Sequence, residues 1–415
     1  MKSIEFRIEK KLPRGRFGRA GVLTTPHGAI ETPAFVTVGT KGSVKSLTPE
    51  QVKDLGAEVV LANTYHLYLQ SGEKIIREAG GIGKFMIWSG PTMTDSGGFQ
   101  AFSLGAAFGK KMSKLAEIKQ KNTVEERDNV AKLAKITDDG VEFKSVIDGS
   151  THFFTPERSI EIQHAIGADI IFVFDECTSP ISPFDYQKEA MERTHAWAAR
   201  SLERHIQLSA NSYELADKKP QALFGIVQGG RFPELRKESA KIIGEMLVRH
   251  GFGESGGFDG FGIGGSFEKK DMNTAVGWVN AILPEEKPRH LLGIGDPLDL
   301  FDAVEEGCDL FDCVAPTRIA RHGTLYSPHG LVHITGGTFR NDFSPVVDGC
   351  GCYTCNNYTK AYLGYLFRAR EFLAYTLASI HNLYFIVNLV KQMRRGILEG
   401  NFAELKESFF LSYKK

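Results

Sequence analysis

Short apolar runs recur along the chain, and each run ends in a polar or glycine-rich turn that leads into a helical pattern. Short apolar runs bounded by turn signals are typical of buried strands. The pattern predicts eight strands, which cover Ala34–Val38, Glu58–Ala62, Thr92–Thr94, Ile170–Phe174, Leu223–Val227, Gly260–Ile263, His290–Ile294 and Asp309–Phe311. Helical periodicity predicts intervening helices at about 48–55, 73–80, 156–167, 186–208, 233–250, 269–283 and 297–306.

Eight strands that alternate with helices predict a (β/α)8 TIM barrel of the α/β class. The alternative is a doubly wound open sheet, in which a glycine-rich phosphate loop would follow the first strand. The residues after the first predicted strand, Val38-Gly-Thr-Lys-Gly, do not match that loop. The helix starts are well marked, since Thr48, Pro49 and Gln51 form a capping-box pattern.

Three segments do not fit the repeat of strands and helices. The pattern of residues 1–32 predicts an N-terminal antiparallel hairpin. Residues 106–150 hold a lysine-rich stretch at about 108–135, which is predicted to be helical, and then an alternating strand, Val141–Ile147. Residues 324–381 precede the last helices. We therefore expect a barrel domain formed by residues 1–323 and 382–415, interrupted by a subdomain of residues 324–381.

Composition and charge limit the class of protein. The chain has 415 residues, 42% of them hydrophobic, and a formal net charge of zero, so overall charge favours no partner. Two segments are locally basic, with a net charge of +4 over residues 110–135 and +5 over residues 356–415. Such segments can contact a polyanion, although solvated helix faces are an equally good explanation for either one alone.

The N-terminus and the cysteines indicate a cytoplasmic protein. The first residues are charged and have no apolar core, so we expect no secretory signal and no membrane span. Six cysteines, three of them grouped, fit a reducing compartment.

Four potential metal ligands lie near the C-terminus: Cys350, Cys352, Cys355 and His381. Three thiolates and one imidazole match a closed tetrahedral zinc site, in which no position is left for water or substrate. Surface thiols or disulfides are the alternative, but a Cys-x-Cys spacing strains a disulfide and three cysteines cannot all pair. The pattern therefore predicts one structural Zn²⁺ per chain, with the chemistry elsewhere.

The predicted strand ends are unusually acidic and polar. In a barrel, the carboxyl ends of the strands build the active site. A single Asp there is often a helix N-cap, and a Gly pair is often only a turn. Three Asp and one Gln at four different strand ends are harder to explain in that way. These residues are Asp95, Asp175, Gln228 and Asp312.

Converging carboxylates can supply a general acid or base, a covalent nucleophile, or acceptors for the N–H groups of a ligand. A purine-like base would suit such acceptors together with backbone N–H groups of a glycine turn, and Phe99 and Leu292 are candidate covers for its faces. Arg318 and Arg321 follow the last strand and suit phosphate contacts, with ordinary surface arginines as the alternative. A metal-dependent barrel hydrolase would need His-x-His at a strand end, and the sequence has none.

Five motifs together resemble the bacterial type of tRNA-guanine transglycosylase, also called queuine tRNA-ribosyltransferase, from about residue 4 to the C-terminus. The motifs are Thr94-Asp-Ser-Gly-Gly-Phe-Gln100, Phe174-Asp-Glu-Cys177, Gly225-Ile-Val-Gln-Gly229, Phe311-Asp-Cys-Val-Ala-Pro-Thr-Arg318 and the Cys-x-Cys-x₂-Cys…His pattern. The resemblance implies a barrel with an inserted zinc subdomain. It also implies exchange of the wobble guanine of tRNAs with GUN anticodons for a 7-deazaguanine.

The resemblance also implies roles for individual residues. Asp312 looks like the nucleophile that attacks the ribose and holds the RNA covalently, and Asp95 looks like the general acid/base. The base-binding set would be Ser96, Phe99, Asp175, Gln228, Gly264, Gly265 and Leu292. The RNA-contacting residues would be Gly295, Asp296, Thr317, Arg318 and Arg321. A carboxylate nucleophile and a second carboxyl group with the opposite role fit glycosyl transfer to a flipped-out nucleotide.

Two segments depart from the family pattern. After the sixth strand the family has Gly-Gly-Leu-Ala-Val-Gly-Glu, whereas this chain has Gly264-Gly-Ser266-Phe-Glu-Lys-Lys-Asp271. In the family, that loop lines the side of the pocket that faces the 7-substituent. We therefore expect the incoming base to be either 7-aminomethyl-7-deazaguanine or queuine, and the altered loop leaves the choice between them open. The basic stretch at about 108–135 is the second departure, and we expect it to contact tRNA outside the anticodon loop.

The family resemblance implies a homodimer, in which one subunit catalyses and the other orients the tRNA. Tyr358, Tyr362 and Tyr365 are candidate interface aromatics, with packing inside the subdomain as the alternative. A non-catalytic tRNA-binding partner subunit of the same fold would be expected to lose its carboxylates, whereas Asp95 and Asp312 are both present. An archaeal-type enzyme that acts in the tRNA core would carry a further C-terminal RNA-binding domain.

Overall fold

The computed structural model describes residues 3–13, 15–101, 134–212, 220–249, 255–264 and 271–413. Eight parallel strands close into a barrel, which confirms the (β/α)8 fold predicted from the alternating pattern. In chain order, the first to the eighth barrel strands are Ala34–Val38, Val60–Ala62, Thr92–Thr94, Ile170–Phe172, Ala222–Val227, Gly260–Ile263, Arg289–Leu291 and Leu310–Asp312. The eighth strand pairs with the first and places Asp312 opposite Val36.

The ends of three barrel strands differ from the prediction in a way that matters for the site. The fourth strand ends at Phe172 rather than Phe174, so Asp175 does not follow it directly. The seventh strand ends at Leu291 rather than Ile294. Gly293 has a φ of +76°, a conformation that glycine adopts without strain, and it turns the backbone out of the strand. The eighth strand extends one residue further than predicted and includes Asp312.

Helices follow most of the barrel strands. They are Pro49–Asp54, Thr64–Leu69, Glu73–Glu78, Ile82–Phe85, Pro156–Ile166, Phe184–Ser212, Pro233–Glu245, Met272–Asn280, Pro297–Glu305 and Ala315–Ala320. The first begins with the predicted capping box, because Thr48 and Gln51 each accept a backbone N–H from the other. The predicted helix over 233–250 is wrong at its end. It stops at Glu245, since Met246 is extended and Val248–Arg249 pairs with Ser255–Gly256.

Two three-stranded antiparallel sheets accompany the barrel. Their strands are Glu5–Lys11, Arg19–Thr25 and Gly28–Thr32 in one sheet and Ala134–Ile136, Val141–Lys144 and Thr151–Phe154 in the other. The strand predicted at Val141–Ile147 ends at Lys144, because residues 145–149 form a turn closed by Gly149 N and Ser145 O at 3.0 Å. The basic stretch predicted at about 108–135 lies outside the described residues up to residue 133.

The C-terminal part holds two strands and four helices among the described residues. They are Thr324–Ser327, Gly330–His333, Tyr353–Asn357, Lys360–Ala369, Phe372–Glu399 and Phe402–Ser412, with a short 3₁₀ helix at Gly337–Phe339. Helix Phe372–Glu399 passes residue 381 without a break. Its first turns, up to Ala378, belong to a small second core, and the part from Ile380 onwards packs in the main core.

Helix Phe372–Glu399 is also the one helix of the described residues that is long and apolar enough, by length and composition alone, to cross a membrane. The protein buries 67% of its most apolar stretch. Packing of this kind is typical of a core helix, and such a helix is weak evidence for a membrane span.

Candidate active site

Asp312 ends the eighth strand, and two nitrogen atoms converge on its Oδ1 atom. His290 Nε2 lies 2.9 Å from Oδ1, and the backbone N of Gly293 donates to the same oxygen at 2.9 Å. The Asp312 side chain keeps 16% of its surface exposed, whereas that of His290 has none. The carboxylate is therefore held in one orientation by the neighbouring strand and still reaches the mouth of the barrel.

Asp95 follows the third strand, and its carboxylate accepts three N–H groups. Asn63 Nδ2 donates to Oδ2, while the backbone N of Thr64 and of Gly97 donate to Oδ1 at 2.9 and 3.2 Å. Thr64 also donates its hydroxyl to the Asp95 carbonyl at 2.5 Å. The second strand end therefore orients the carboxylate of the third, and Asp95 is half-buried with a fixed side chain.

Asp175, Ser96 and Gln228 form one buried cluster from three strand ends. Ser96 Oγ donates to Asp175 Oδ1 at 3.1 Å, and Gln228 Nε2 donates to Asp175 Oδ2 at 2.8 Å. Gly264 packs on this cluster, since a Cβ there would lie 2.5 Å from Gln228 Oε1. Within the part of the chain that the structure describes, Gln228 Oε1 is buried and has no hydrogen-bond partner. A buried acceptor of this kind suits an N–H group of a ligand. Gly265 lies outside the described residues.

A buried arginine supports the turn that carries Gln228. Arg236 is fully buried, and it donates from Nε to the Gly230 carbonyl at 2.7 Å and from Nη1 to the Val227 carbonyl at 3.3 Å. Burial lowers the pKa of Arg236 to about 10, so the guanidinium remains charged at neutral pH. The turn at Gly229 is tight, because its φ is +120° and a Cβ would lie 2.8 Å from the Arg236 backbone N.

The predicted apolar covers both lie at strand ends. Phe99 is half-buried in the first turn of the helix that begins at residue 98, after the third strand, and Leu292 is half-buried directly after the seventh strand. Leu292 is near the barrel axis, since a Cβ on Gly262 would lie 3.3 Å from its Cδ1 atom. Gly295 packs against Cys313, the neighbour of Asp312, because a Cβ on Gly295 would lie 2.4 Å from the Cys313 Cβ.

The remaining predicted RNA contacts differ in exposure. Asp296 is half-buried and caps helix Pro297–Glu305, with Oδ1 accepting Leu298 N at 3.1 Å. Thr317 is only 6% exposed and contacts its own helix, whereas Arg318 is exposed. Arg321 is half-buried, and its Nε donates to the Thr317 carbonyl at 3.2 Å. Arg318 is therefore the predicted contact of this helix that is most open to a ligand.

The four predicted metal ligands come together. The ligand atoms of Cys350, Cys352, Cys355 and His381 all lie within 4.8 Å of one another, and Cys355 Sγ is 3.3 Å from His381 Nδ1. Cys352 and His381 are fully buried. Three thiol sulfurs and one imidazole nitrogen in one small cluster form a donor set that fits a tetrahedral metal ion, and the four cysteine and histidine side chains fill its positions.

Two adjacent residues, His381 and Asn382, connect the cluster of predicted metal ligands with the chain near Asp312. His381 Nε2 lies 2.8 Å from the Tyr326 carbonyl, which fixes the ring with Nδ1 towards the sulfurs. The next residue, Asn382, accepts Tyr326 N at 3.0 Å and donates to the Pro316 and Thr324 carbonyls, each at 3.0 Å. The helix that provides His381, the last of the predicted metal ligands, is therefore bonded to the segment that follows the eighth strand.

Sequence reasoning missed several of these contacts. Three further residues contact residues of the site: His290, Asn63 and Arg236. His290 lies on a strand, Asn63 lies at a helix start and Arg236 lies in a helix. No sequence motif marks any of them. The only signal for His290 was its polarity at the first position of the predicted strand His290–Ile294. Two separately held carboxylates at one barrel mouth, next to a buried set of acceptors, can perform acid/base and nucleophilic chemistry on a base-bearing ligand.

Comparisons with known proteins cover nearly the whole chain. A model of the family described as queuine tRNA-ribosyltransferase matches residues 14–415. A queuine tRNA-ribosyltransferase of Thermoanaerobacter pseudethanolicus is 45% identical over 416 residues, which cover 100% of this chain and 98% of that relative. A protein of the same name from a Roseiflexus species is 46% identical, with 97% and 98% covered. A third, from Natranaerobius thermophilus, is 43% identical, with 99% and 100% covered.

Proposed function

The chain belongs to the queuine tRNA-ribosyltransferase family, and on that premise we propose that it exchanges guanine in tRNA for a 7-deazaguanine base. The reaction is a pentosyl transfer at the wobble nucleotide of tRNAs with GUN anticodons. The observation that carries the proposal is the presence of Asp95 and Asp312 at two strand ends of one barrel, each held by N–H donors. Such a pair supplies the two carboxyl groups with opposite roles that glycosyl transfer needs.

In the first half-reaction, an oxygen of the Asp312 carboxylate attacks C1′ of the flipped-out nucleotide. The bond between C1′ and N9 of guanine breaks, and its electron pair goes to the base. Asp95 acts as the general acid that delivers the proton to the leaving base, so guanine departs neutral. The product is an ester between Asp312 and the ribose, which holds the RNA covalently.

In the second half-reaction, the incoming base loses its N9 proton to Asp95 and N9 attacks C1′. The bond between C1′ and the Asp312 oxygen breaks, and its electrons return to the carboxylate. Asp95 therefore donates a proton in the first half-reaction and accepts a proton in the second. Neither Asp is consumed, and the enzyme returns to its starting state.

Base recognition is assigned to the buried cluster around Asp175. Asp175 and Gln228 offer oxygens to the N–H groups of the base, and the buried acceptor Gln228 Oε1 supports this assignment. Ser96 orients Asp175. Gly264 and Gly265 allow the base to approach the backbone, and Phe99 and Leu292 cover its faces. The incoming base is 7-aminomethyl-7-deazaguanine or queuine, which differ only in the 7-substituent.

The RNA backbone is assigned to the two segments that follow the seventh and eighth strands. Gly295 and Asp296 belong to the first segment, and Thr317, Arg318 and Arg321 belong to the second. The exposure of Arg318 supports a phosphate contact, since a guanidinium binds phosphate with two parallel hydrogen bonds.

The metal at the Cys350, Cys352, Cys355 and His381 cluster is assigned as one structural Zn²⁺ per chain. A bound Zn²⁺ would cross-link the segment 350–355 to the helix of His381, since protein ligands would occupy all four of its coordination positions. We assign residues 324–381 to a zinc subdomain and residues 1–323 and 382–415 to the barrel domain. The two hydrophobic cores, which meet along one helix near residue 380, support this division.

We also propose a cytoplasmic homodimer. Tyr358, Tyr362 and Tyr365 stack in a row, with ring centroids 5.7 and 6.4 Å apart, and Tyr362 and Tyr365 are 41% and 56% exposed. An exposed row of aromatic rings suits a protein interface. A non-catalytic tRNA-binding subunit is the alternative function, and the presence of both carboxylates argues against it.

The test is base exchange on tRNA with guanine, 7-aminomethyl-7-deazaguanine and queuine in parallel, using the wild-type chain and Asp312→Ala. The wild type should incorporate guanine and one of the two other bases and should form an RNA adduct that survives denaturation. Asp312→Ala should lose exchange by roughly a thousandfold or more while remaining folded. No incorporation of any base by the wild type would refute the proposed function, and an adduct in Asp312→Ala would refute the nucleophile assignment.

A further inference from the structure

His290 is a fully buried imidazole that points at the proposed nucleophile. It lies on the seventh barrel strand, beside the eighth, and its Nε2 atom is 2.9 Å from Asp312 Oδ1. The ring stands edge-on to Phe172, with the two ring centroids 5.5 Å apart. The strands place buried apolar side chains such as Phe172, Phe224 and Leu310 on the same inner face as His290, so a polar side chain here needs a physical reason.

The surroundings of the ring indicate which nitrogen carries the proton. Among the described residues, His290 Nδ1 is buried and has no hydrogen-bond partner. A proton on Nδ1 would be a buried donor without an acceptor, and Nε2 would then meet the carboxylate with a lone pair. A proton on Nε2 avoids both costs, because it is donated directly to Asp312 Oδ1. The contacts therefore favour the tautomer in which His290 donates to Asp312.

We propose that His290 is a positioning residue for Asp312, an inference that rests on the proposed function. His290 Nε2–H and Gly293 N–H both bind Oδ1, and they aim the other oxygen of the carboxylate at C1′ of the nucleotide. In the covalent intermediate, Oδ1 is the carbonyl oxygen of the ester and keeps both donors. When the ester breaks, the electron pair of the C1′–O bond returns to a carboxylate that the same two donors already stabilise.

Two substitutions separate positioning from mere packing. His290→Leu has a similar volume but no donor, and His290→Gln keeps an N–H donor near the position of Nε2. His205→Leu is the matched control, since His205 is also buried but pairs with His164, away from Asp312. The measurements are the single-turnover rate constant for adduct formation, the amplitude of that phase, and KM for tRNA and for the base.

A positioning role lowers the rate constant, whereas a folding defect lowers the amplitude. We expect His290→Leu to reduce the rate constant about 10- to 100-fold, with KM changed by less than about threefold, because one donor to a charged group is lost. His290→Gln should recover most of the rate constant, and His205→Leu should leave it unchanged.

The proposal is overturned if His290→Leu forms the adduct with the wild-type rate constant, or if only the amplitude falls in both His290 variants. The rate constant is measured on the folded fraction alone, so partial unfolding does not hide the result. If the wild-type protein forms no adduct, the proposed function itself fails. If the wild type forms the adduct and His290→Leu matches it, only the positioning role fails.

Discussion

The side-chain nitrogen of Asn382 lies 3.0 Å from the carbonyl oxygen of Pro316, and it bonds the Thr324 carbonyl at the same distance. Asn382 directly follows the metal-site residue His381, and Pro316 follows Asp312 by four residues. One buried side chain therefore joins the cluster of cysteines and His381 to the segment between the proposed nucleophile and the arginines proposed to bind RNA. We expect the cluster to influence the proposed active site through this contact without taking part in the reaction.

Replacement of Asn382 by Leu should destabilise the protein, because three buried backbone groups lose their partner while the volume is nearly kept. We expect the free energy of unfolding to fall by about 1–3 kcal/mol, measured by urea denaturation. Asn357→Leu is the control, since Asn357 is exposed and its side chain donates to the carbonyl of Tyr353 in its own helix. Equal stability of the Asn382 variant and the wild type would show that the contact contributes nothing.

Replacement of Asp95 by Asn should slow both half-reactions, because an amide neither delivers nor accepts the proton of the base. The expected decrease is about 10²- to 10⁴-fold in each rate constant, measured by guanine release and by incorporation of the incoming base. Asp54→Asn, an exposed change on the first helix, should have no effect. Exchange at the wild-type rate in the Asp95 variant would exclude its acid/base role.

Much of the site could be predicted from the sequence because the barrel topology brings side chains at different strand ends close together. Asp95, Asp175 and Gln228 lie shortly after recognisable strands, Asp312 ends another, and the ends of parallel barrel strands meet at one mouth. His290 could not be predicted in the same way. Its contact with Asp312 depends on the register that sets His290 opposite Leu310, and no local pattern encodes that register.

The fold was predictable for a related reason, and its errors are local. Strand and helix order follows from hydrophobic periodicity, which is strong across this chain. The end of helix Pro233–Glu245 was missed because residues 246–249 keep an apolar, helix-like composition, while Val248–Arg249 is held by pairing with Ser255–Gly256. Pairing of that kind is tertiary and overrides local propensity.

Acid should destabilise the protein through His205. Burial lowers the pKa of His205 from 6.5 to about 4, so between these values the unfolded chain binds a proton that the folded chain excludes. The contribution of neutral His205 to the free energy of unfolding is therefore fully present above pH 6.5 and is lost as the pH falls towards 4. By pH 5 the loss from this group is about 2 kcal/mol.

His205→Leu should accordingly lose about 2 kcal/mol less than the wild type between pH 8 and pH 5, measured by urea denaturation at both values. His195, whose pKa burial also lowers to about 4, remains in the variant and keeps its own contribution. The same loss in both proteins would mean that His205 is protonated in the folded state at pH 5.

Removal of the metal should weaken tRNA binding and dimer formation together, since the proposed Zn²⁺ holds the subdomain that carries the tyrosine row and lies next to Arg318. Chelation, or Cys352→Ser, should remove one metal ion per chain and lower the free energy of unfolding by roughly 4 kcal/mol or more. Metal analysis, urea denaturation, sedimentation and tRNA titration measure these four effects. His333→Ala is the control, because His333 is exposed in the same part of the chain but lies outside the cluster. Loss of the metal with tRNA affinity and dimerisation unchanged would contradict the assigned purpose, because the four ligands would then stabilise only their own small core.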